Sequence, residues 1–304
     1  SDPAPTINGI NPAPLVGHDI NPIPKNLKNK ERNKTMKKFV AILLTLMLVL
    51  GVSAAFATEV PPTTAPTYTD QETVTIQKAY KLVGAGTSPA ETFTLVQVGD
   101  GRVTDGEAAA APALGTITGA AFAAGAATVN GATGDITVAL PTYTSVGKYE
   151  YTLKEVAGTT AGVDYYGNDI KLVVTVINDG EGKIRVAAVH TESEGGTKSD
   201  TFENTYSAGT LNVSKTVTGN LGDESKYFEF KVTLTGVEGK TYGTSYAVTG
   251  GTNTANPNAI KIGEETTFLL KHGETIHIAN LPYGVSYTVT ETAATGYTTS
   301  ATGA

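Results

Sequence analysis

The sequence predicts an all-β protein in two repeated modules, and three observations carry that expectation. Thr, Gly, Val, Ala and Tyr are abundant, whereas long helix-period patterns are scarce after residue 60. Short segments of alternating polarity, bounded by Gly, Asn and Asp, recur along the chain. The last third repeats the scheme of the middle third: an opening strand carrying an inward lysine and a late strand carrying an inward glutamate. A hydrophobic content of 40% over 304 residues suffices for two cored domains.

Residues 1–35 are rich in Pro, Asn and Lys without an apolar period, and read as a disordered leader or as non-native upstream sequence. Met36 opens MKKFVAILLTLMLVLGVSAAFA. Its two lysines, apolar run and Ala55-Phe56-Ala57 box predict a signal peptide over 36–57, cleaved after Ala57. A membrane anchor is the competing reading, but the run is short for a span. The protein is therefore expected to be exported. Residues 58–66 form a Pro/Thr linker.

The first domain is expected over 67–206. TVTIQKAYKLVGAG places Val74, Ile76 and Lys78 on one face, and Phe93–Val98 reads as the next strand. Pro112 and several glycines make residues 107–134 loops and short strands despite their alanine content. Ile136–Leu140 and Tyr149–Glu155 follow as strands, the second with Tyr149, Tyr151, Leu153 and Glu155 sharing a face. Ile170–Ile177 and Ile184–His190 form a hairpin about an Asn-Asp-Gly turn. Thr201–Tyr206 closes the domain with Phe202, Asn204 and Tyr206 inward. Ser207, Ala208 and Gly209 read as a hinge.

The second domain, 208–304, opens with LNVSKTVTGN and proceeds through strands at Phe228–Leu234, Thr266–Leu270, Glu274–Ala279 and Val285–Glu291. No closing strand follows GYTTSATGA, so the domain is expected to be incomplete, with an open edge.

A net charge of −7, from 22 basic and 29 acidic residues, argues against a nucleic-acid partner. The absence of cysteine excludes disulfides, thiolate catalysis and Cys-based metal sites. Asp100 and Asp105 lack the EF-hand pattern, and His272 and His277 fit no zinc spacing. Gly239-Lys240-Thr241 lacks the first glycine of a phosphate loop, and no GxSxG occurs. No cofactor and no metal are expected.

The chemistry lies in the inward polar residues. Lys78, Glu155 and Asn204 are each set among core positions, and burying them unpartnered is costly. Lys215 and Glu291 hold the same two places in the second domain, 76 residues apart against 77 in the first. A buried lysine is pushed towards its neutral, nucleophilic amine. A buried, protonated glutamic acid polarises a neighbouring carboxamide and shuttles a proton to departing ammonia. Preorganisation lets so poor an electrophile react once. The product is a Lys–Asn isopeptide crosslink.

Blander readings stand beside this one. Lys81 rather than Lys78 is the inward lysine if the register slips. Glu155 as a turn cap, Asn204 as a partner of strand-end backbone, and Lys215–Glu291 as a plain ion pair are the others.

Through VTIQK, PTYTSVGKYEYTLKEV and TFENTY, residues 67–206 resemble the pilin isopeptide-linkage domain of Gram-positive surface proteins. Residues 208–304 are similar to collagen-adhesin B-type modules through GTLNVSKTVTGN, FLLKHGE, NLPYGVSYTVTE and GYTT. The resemblance implies tandem immunoglobulin-like sandwiches with first and last strands crosslinked. It further implies sortase-mediated assembly with other pilin subunits into a pilus or onto the cell wall. No LPxTG-like signal and no YPKN-like motif occurs, and Lys215 lacks an Asn partner. The expected function is a structural subunit of an extracellular pilus or cell-wall stalk. The alternative is a cell-surface adhesin binding a host protein or glycan. A turnover enzyme is not expected, since self-crosslinking occurs once per chain.

Overall fold

Eighteen strands and no helix make up residues 70–303, the part described by the computed structural model. The segments expected as leader (1–35), signal peptide (36–57) and linker (58–66) lie outside the described residues.

β1 (Thr73–Gly84) buries Val74, Ile76 and Lys78 and exposes Thr73, Thr75 and Gln77, as strand alternation requires. The expected strand 93–98 is instead two short ones, β2 (Glu91–Phe93) and β3 (Leu95–Gln97), because the chain crosses between sheets at Thr94. β4 (Arg102–Gly106) follows, then β5 (Ile117–Thr118) and β6 (Ala120–Phe122) within the Ala/Gly-rich stretch. β7 (Ala132–Ala139), β8 (Gly147–Glu155), β9 (Val163–Asp164), β10 (Ile170–Asn178) and β11 (Ile184–Glu192) lead to β12 (Thr201–Ser214). At the β10–β11 turn, Gly180 and Gly182 take φ of 93° and 80°, while Asp179 Oδ1 accepts from the Glu181 and Lys183 amides. β13 (Phe228–Thr235), β14 (Tyr246–Gly250), β15 (Ala259–Ile260), β16 (Glu265–Leu270), β17 (Thr275–Pro282) and β18 (Ser286–Glu291) complete the order.

Two sandwiches share one sheet, ordered β15-β14-β17-β12-β1-β7-β5, with β9 also on β12. Its β1–β7 half packs against a sheet ordered β11-β10-β8-β3, burying Ile76, Ile136, Tyr149, Leu153, Leu172 and Val174. Its β17 half packs against β16-β13-β18, burying Leu211, Ile276, Ile278, Phe230, Val232 and Phe268.

The hinge expected at Ser207–Gly209 is a correction. These residues lie inside the 14-residue β12, Ser207 and Ala208 pairing with Val83 and Gly84 of β1, and Ala208 and Gly209 with Pro282 and Leu281 of β17. β12 runs parallel to β1 as far as Gly84↔Ala208 and antiparallel to β17 from Ala208↔Pro282 onward, with an irregularity between Gly209 and Leu211. Asn280, held at φ 60°, accepts from the Thr87 amide at 2.9 Å and donates to the Thr87 carbonyl at 3.0 Å. The Thr241 amide donates to Thr159 O at 2.8 Å, and the Ala161 amide to Thr241 O at 2.9 Å. Small residues here serve close backbone approach: a Cβ on Gly162 would stand 2.7 Å from Ser207 O.

Candidate functional site

Lys78, Glu155 and Asn204 converge in the first core. β1 and β12 are parallel neighbours with Lys78 opposite Phe202 and Tyr80 opposite Asn204. Lysine and asparagine are thus diagonal on the same face, a gap the long lysine side chain spans. Glu155 ends β8 in the facing sheet and enters from across the core.

The three are 1%, 5% and 0% exposed, so water cannot solvate them and each must be satisfied by the others. Lys78 Nζ contacts Glu155 Oε2 and donates to Asn204 Oδ1 at 2.6 Å. Asn204 Nδ2 donates to Glu155 Oε1 at 2.5 Å, and the Tyr166 backbone N–H donates to Oδ1 at 2.8 Å. Two donors on one atom fix the orientation of the amide, because only its oxygen can receive them.

Aromatic rings wall the cluster. Nζ lies 5.4 Å from the Phe93 ring centre and 5.6 Å from that of Tyr166. Phe93 belongs to an aromatic group with Tyr80, Phe122 and Tyr165. Desolvation in this setting holds the Lys78 pKa below its ordinary value, against the opposing hydrogen bond and charge of Glu155. Lys81, the rival inward lysine, is 39% exposed and pairs with Glu203 at 3.7 Å.

Lys215 lies just past β12 and Glu291 ends β18, with Nζ 2.6 Å from Oε1. Their side chains are 11% and 7% exposed, and Nζ sits 4.1 Å from the Phe228 ring centre. Among the described residues no carboxamide hydrogen-bonds either group. Core-facing Tyr287 and Val289 of β18 are only half-buried, whereas Tyr151 and Leu153 of β8 are 1% and 0% exposed.

Sequence reasoning missed Tyr166. Its contribution is a backbone N–H, which has no residue signature; the aromatic pair Tyr165-Tyr166 before Gly167 was the available signal.

Residues 74–207 match the family model described as Spy0128-like isopeptide containing domain. Residues 209–304, expected to resemble collagen-adhesin B-type modules, match one described as Domain of unknown function (DUF7601). A pilin of Streptococcus pyogenes serotype M1 is 32% identical over 157 residues, covering 49% of this chain and 46% of the relative. A pilus tip adhesin of Streptococcus pyogenes is 37% identical over 93 residues, covering 31% of this chain and 13% of that protein. The chain thus spans less than half the length of these curated relatives. The crystal structure of the major pilin from Streptococcus pyogenes aligns with TM-score 0.52 and 26% identity, covering 74% of this chain and 83% of the other.

Fold and likenesses together point to one class: the chain is similar to the pilins of Streptococcus pyogenes. The particular likeness is narrower: residues 74–207 are similar to the Spy0128-like isopeptide containing domain, whose family is characterised by the crosslink its description names.

Proposed function

We propose that the chain is a structural subunit of an extracellular pilus or cell-wall stalk, stiffened by a spontaneous Lys78–Asn204 isopeptide bond with Glu155 as its acid–base group. One observation carries the reading: a buried amine, carboxyl and carboxamide in mutual hydrogen-bond contact, bridging first and last strands of a sandwich. Desolvation favours the neutral, nucleophilic amine. One glutamate oxygen faces the attacking nitrogen and the other the leaving nitrogen, the arrangement a proton shuttle needs. The reaction is intramolecular and occurs once, so the chain is not a turnover enzyme.

The bond closes a span of 126 residues. By analogy with disulfides this restricts the unfolded chain by about 4–5 kcal/mol. Its mechanical effect follows from topology. β1 and β12 are neighbouring parallel strands, and a covalent bridge between them carries tension past the ladder hydrogen bonds. Export through the segment 36–57, and joining to other subunits by a sortase, complete the proposal.

Cell-wall extracts test the assembly: this chain is expected in a ladder of covalent polymers, and monomers alone would contradict the shaft. Intact mass tests the crosslink. The wild-type chain is expected one ammonia short of its sequence mass, with Glu155→Ala restoring the full mass.

A further inference from the structure

We propose that the backbone N–H of Tyr166 is a catalytic group of the crosslinking step, holding the Asn204 oxygen as negative charge develops on it. The inference rests on the isopeptide reading of Lys78, Glu155 and Asn204.

The argument is one of donors already committed. Both oxygens of Glu155 are engaged with nitrogens, Oε2 with Lys78 Nζ and Oε1 with Asn204 Nδ2. Nζ itself donates to Oδ1 at 2.6 Å, but Nζ is the nucleophile, and its lone pair must turn to the carbonyl carbon. The trio therefore keeps no donor for the oxygen at the moment it needs one. The Tyr166 N–H, at 2.8 Å, is the donor that remains on Oδ1. It acts in a core with Asn204 fully buried, where a fixed dipole is screened least.

The fold holds this N–H in place. β9 pairs with β12 through Thr205↔Asp164 and Tyr206↔Val163, which brings the following residues alongside Asn204. The Tyr166 ring packs edge-on against Phe202 at 5.1 Å, anchoring the residue that presents the amide.

The step balances. The neutral amine of Lys78 forms a bond to Asn204 Cγ, and the carbonyl π pair moves onto Oδ1 beside the Tyr166 N–H. Glu155 Oε2 takes a proton from Nζ while Oε1 gives one to Nδ2. The pair on Oδ1 re-forms the carbonyl, the Cγ–Nδ2 bond breaks, and ammonia leaves. Glu155 ends with the proton count it began with.

The test replaces the Tyr166 amide by an ester, using the α-hydroxy analogue of tyrosine, and follows ammonia loss by intact mass after a pulse of cell-free synthesis. The ester chain is expected to crosslink about a hundredfold more slowly than wild type. The same ester in the unreactive Asn204→Ala chain separates chemistry from folding, and its thermal unfolding is expected to match that of Asn204→Ala alone. Wild-type kinetics in the ester chain would overturn the proposal. So would a slowdown accompanied by unfolding in the Asn204→Ala background, since that assigns the N–H to strand packing. If the wild type itself keeps its full mass, the isopeptide reading falls first, and this inference with it.

Discussion

The two lysine–glutamate pairs occupy corresponding places in their sandwiches, yet only one is sealed. Around Lys78 and Glu155 lie a fully buried carboxamide, a backbone N–H aimed at its oxygen and two aromatic walls. Around Lys215 and Glu291 lie one aromatic ring and a half-buried strand. The difference teaches what turns an ion pair into a reactive site. A paired lysine and glutamate satisfy each other and can rest as a salt bridge. Adding an electrophile that neither can release, in a core without water, supplies the proposed reaction.

Removing the electrophile breaks the comparison most strongly. Asn204→Ala leaves the first pair as bare as the second. It is expected to lose the ammonia deficit and about 4–5 kcal/mol of stability, read by denaturant unfolding. Lys215→Ala is expected to leave the mass deficit unchanged at one ammonia. It costs about 3 kcal/mol, because Glu291 is stranded with its side chain 7% exposed.

Titration sharpens the contrast. In Asn204→Ala the lysine remains free, and burial lowers its pKa from 10.5. The unfolded chain then binds a proton that the folded chain does not. Stability of this variant therefore rises as pH is raised from the folded pKa toward 10.5. Wild type, in which the proposed bond makes Lys78 an amide, is expected to lack that rise. The buried tyrosines titrate in both chains, so the difference between their unfolding curves isolates the lysine.

The smallest effect concerns the junction. Asn280→Ala removes both hydrogen bonds to Thr87 and places alanine at a positive φ, for about 1–2 kcal/mol. Faster amide exchange at Thr87, with exchange at Tyr80 unchanged, would show that the loss is local.

How much of this was legible in the sequence follows from periodicity. β1, β8 and β12 alternate cleanly, so the inward placement of Lys78, Glu155 and Asn204 could be read before any coordinates. The continuity of β12 could not. Ser207-Ala208-Gly209 looks like a break, yet β12 runs through it, and the close approach falls on its neighbours: a Cβ on Gly84 or Gly162 would stand 2.6 or 2.7 Å from the Ala208 or Ser207 carbonyl oxygen. The split at Thr94 was hidden because one alternating run, Phe93–Val98, feeds two sheets. Tyr166 was invisible for a different reason: its role belongs to the main chain, and a two-residue strand leaves no period to detect.

Peptide mapping by mass spectrometry tests the central claim most directly. After proteolysis of the wild-type chain, a branched species is expected that joins a β1 peptide to a β12 peptide through Lys78 and Asn204, one ammonia lighter than their sum. Recovery of both as linear, unmodified peptides would contradict the account.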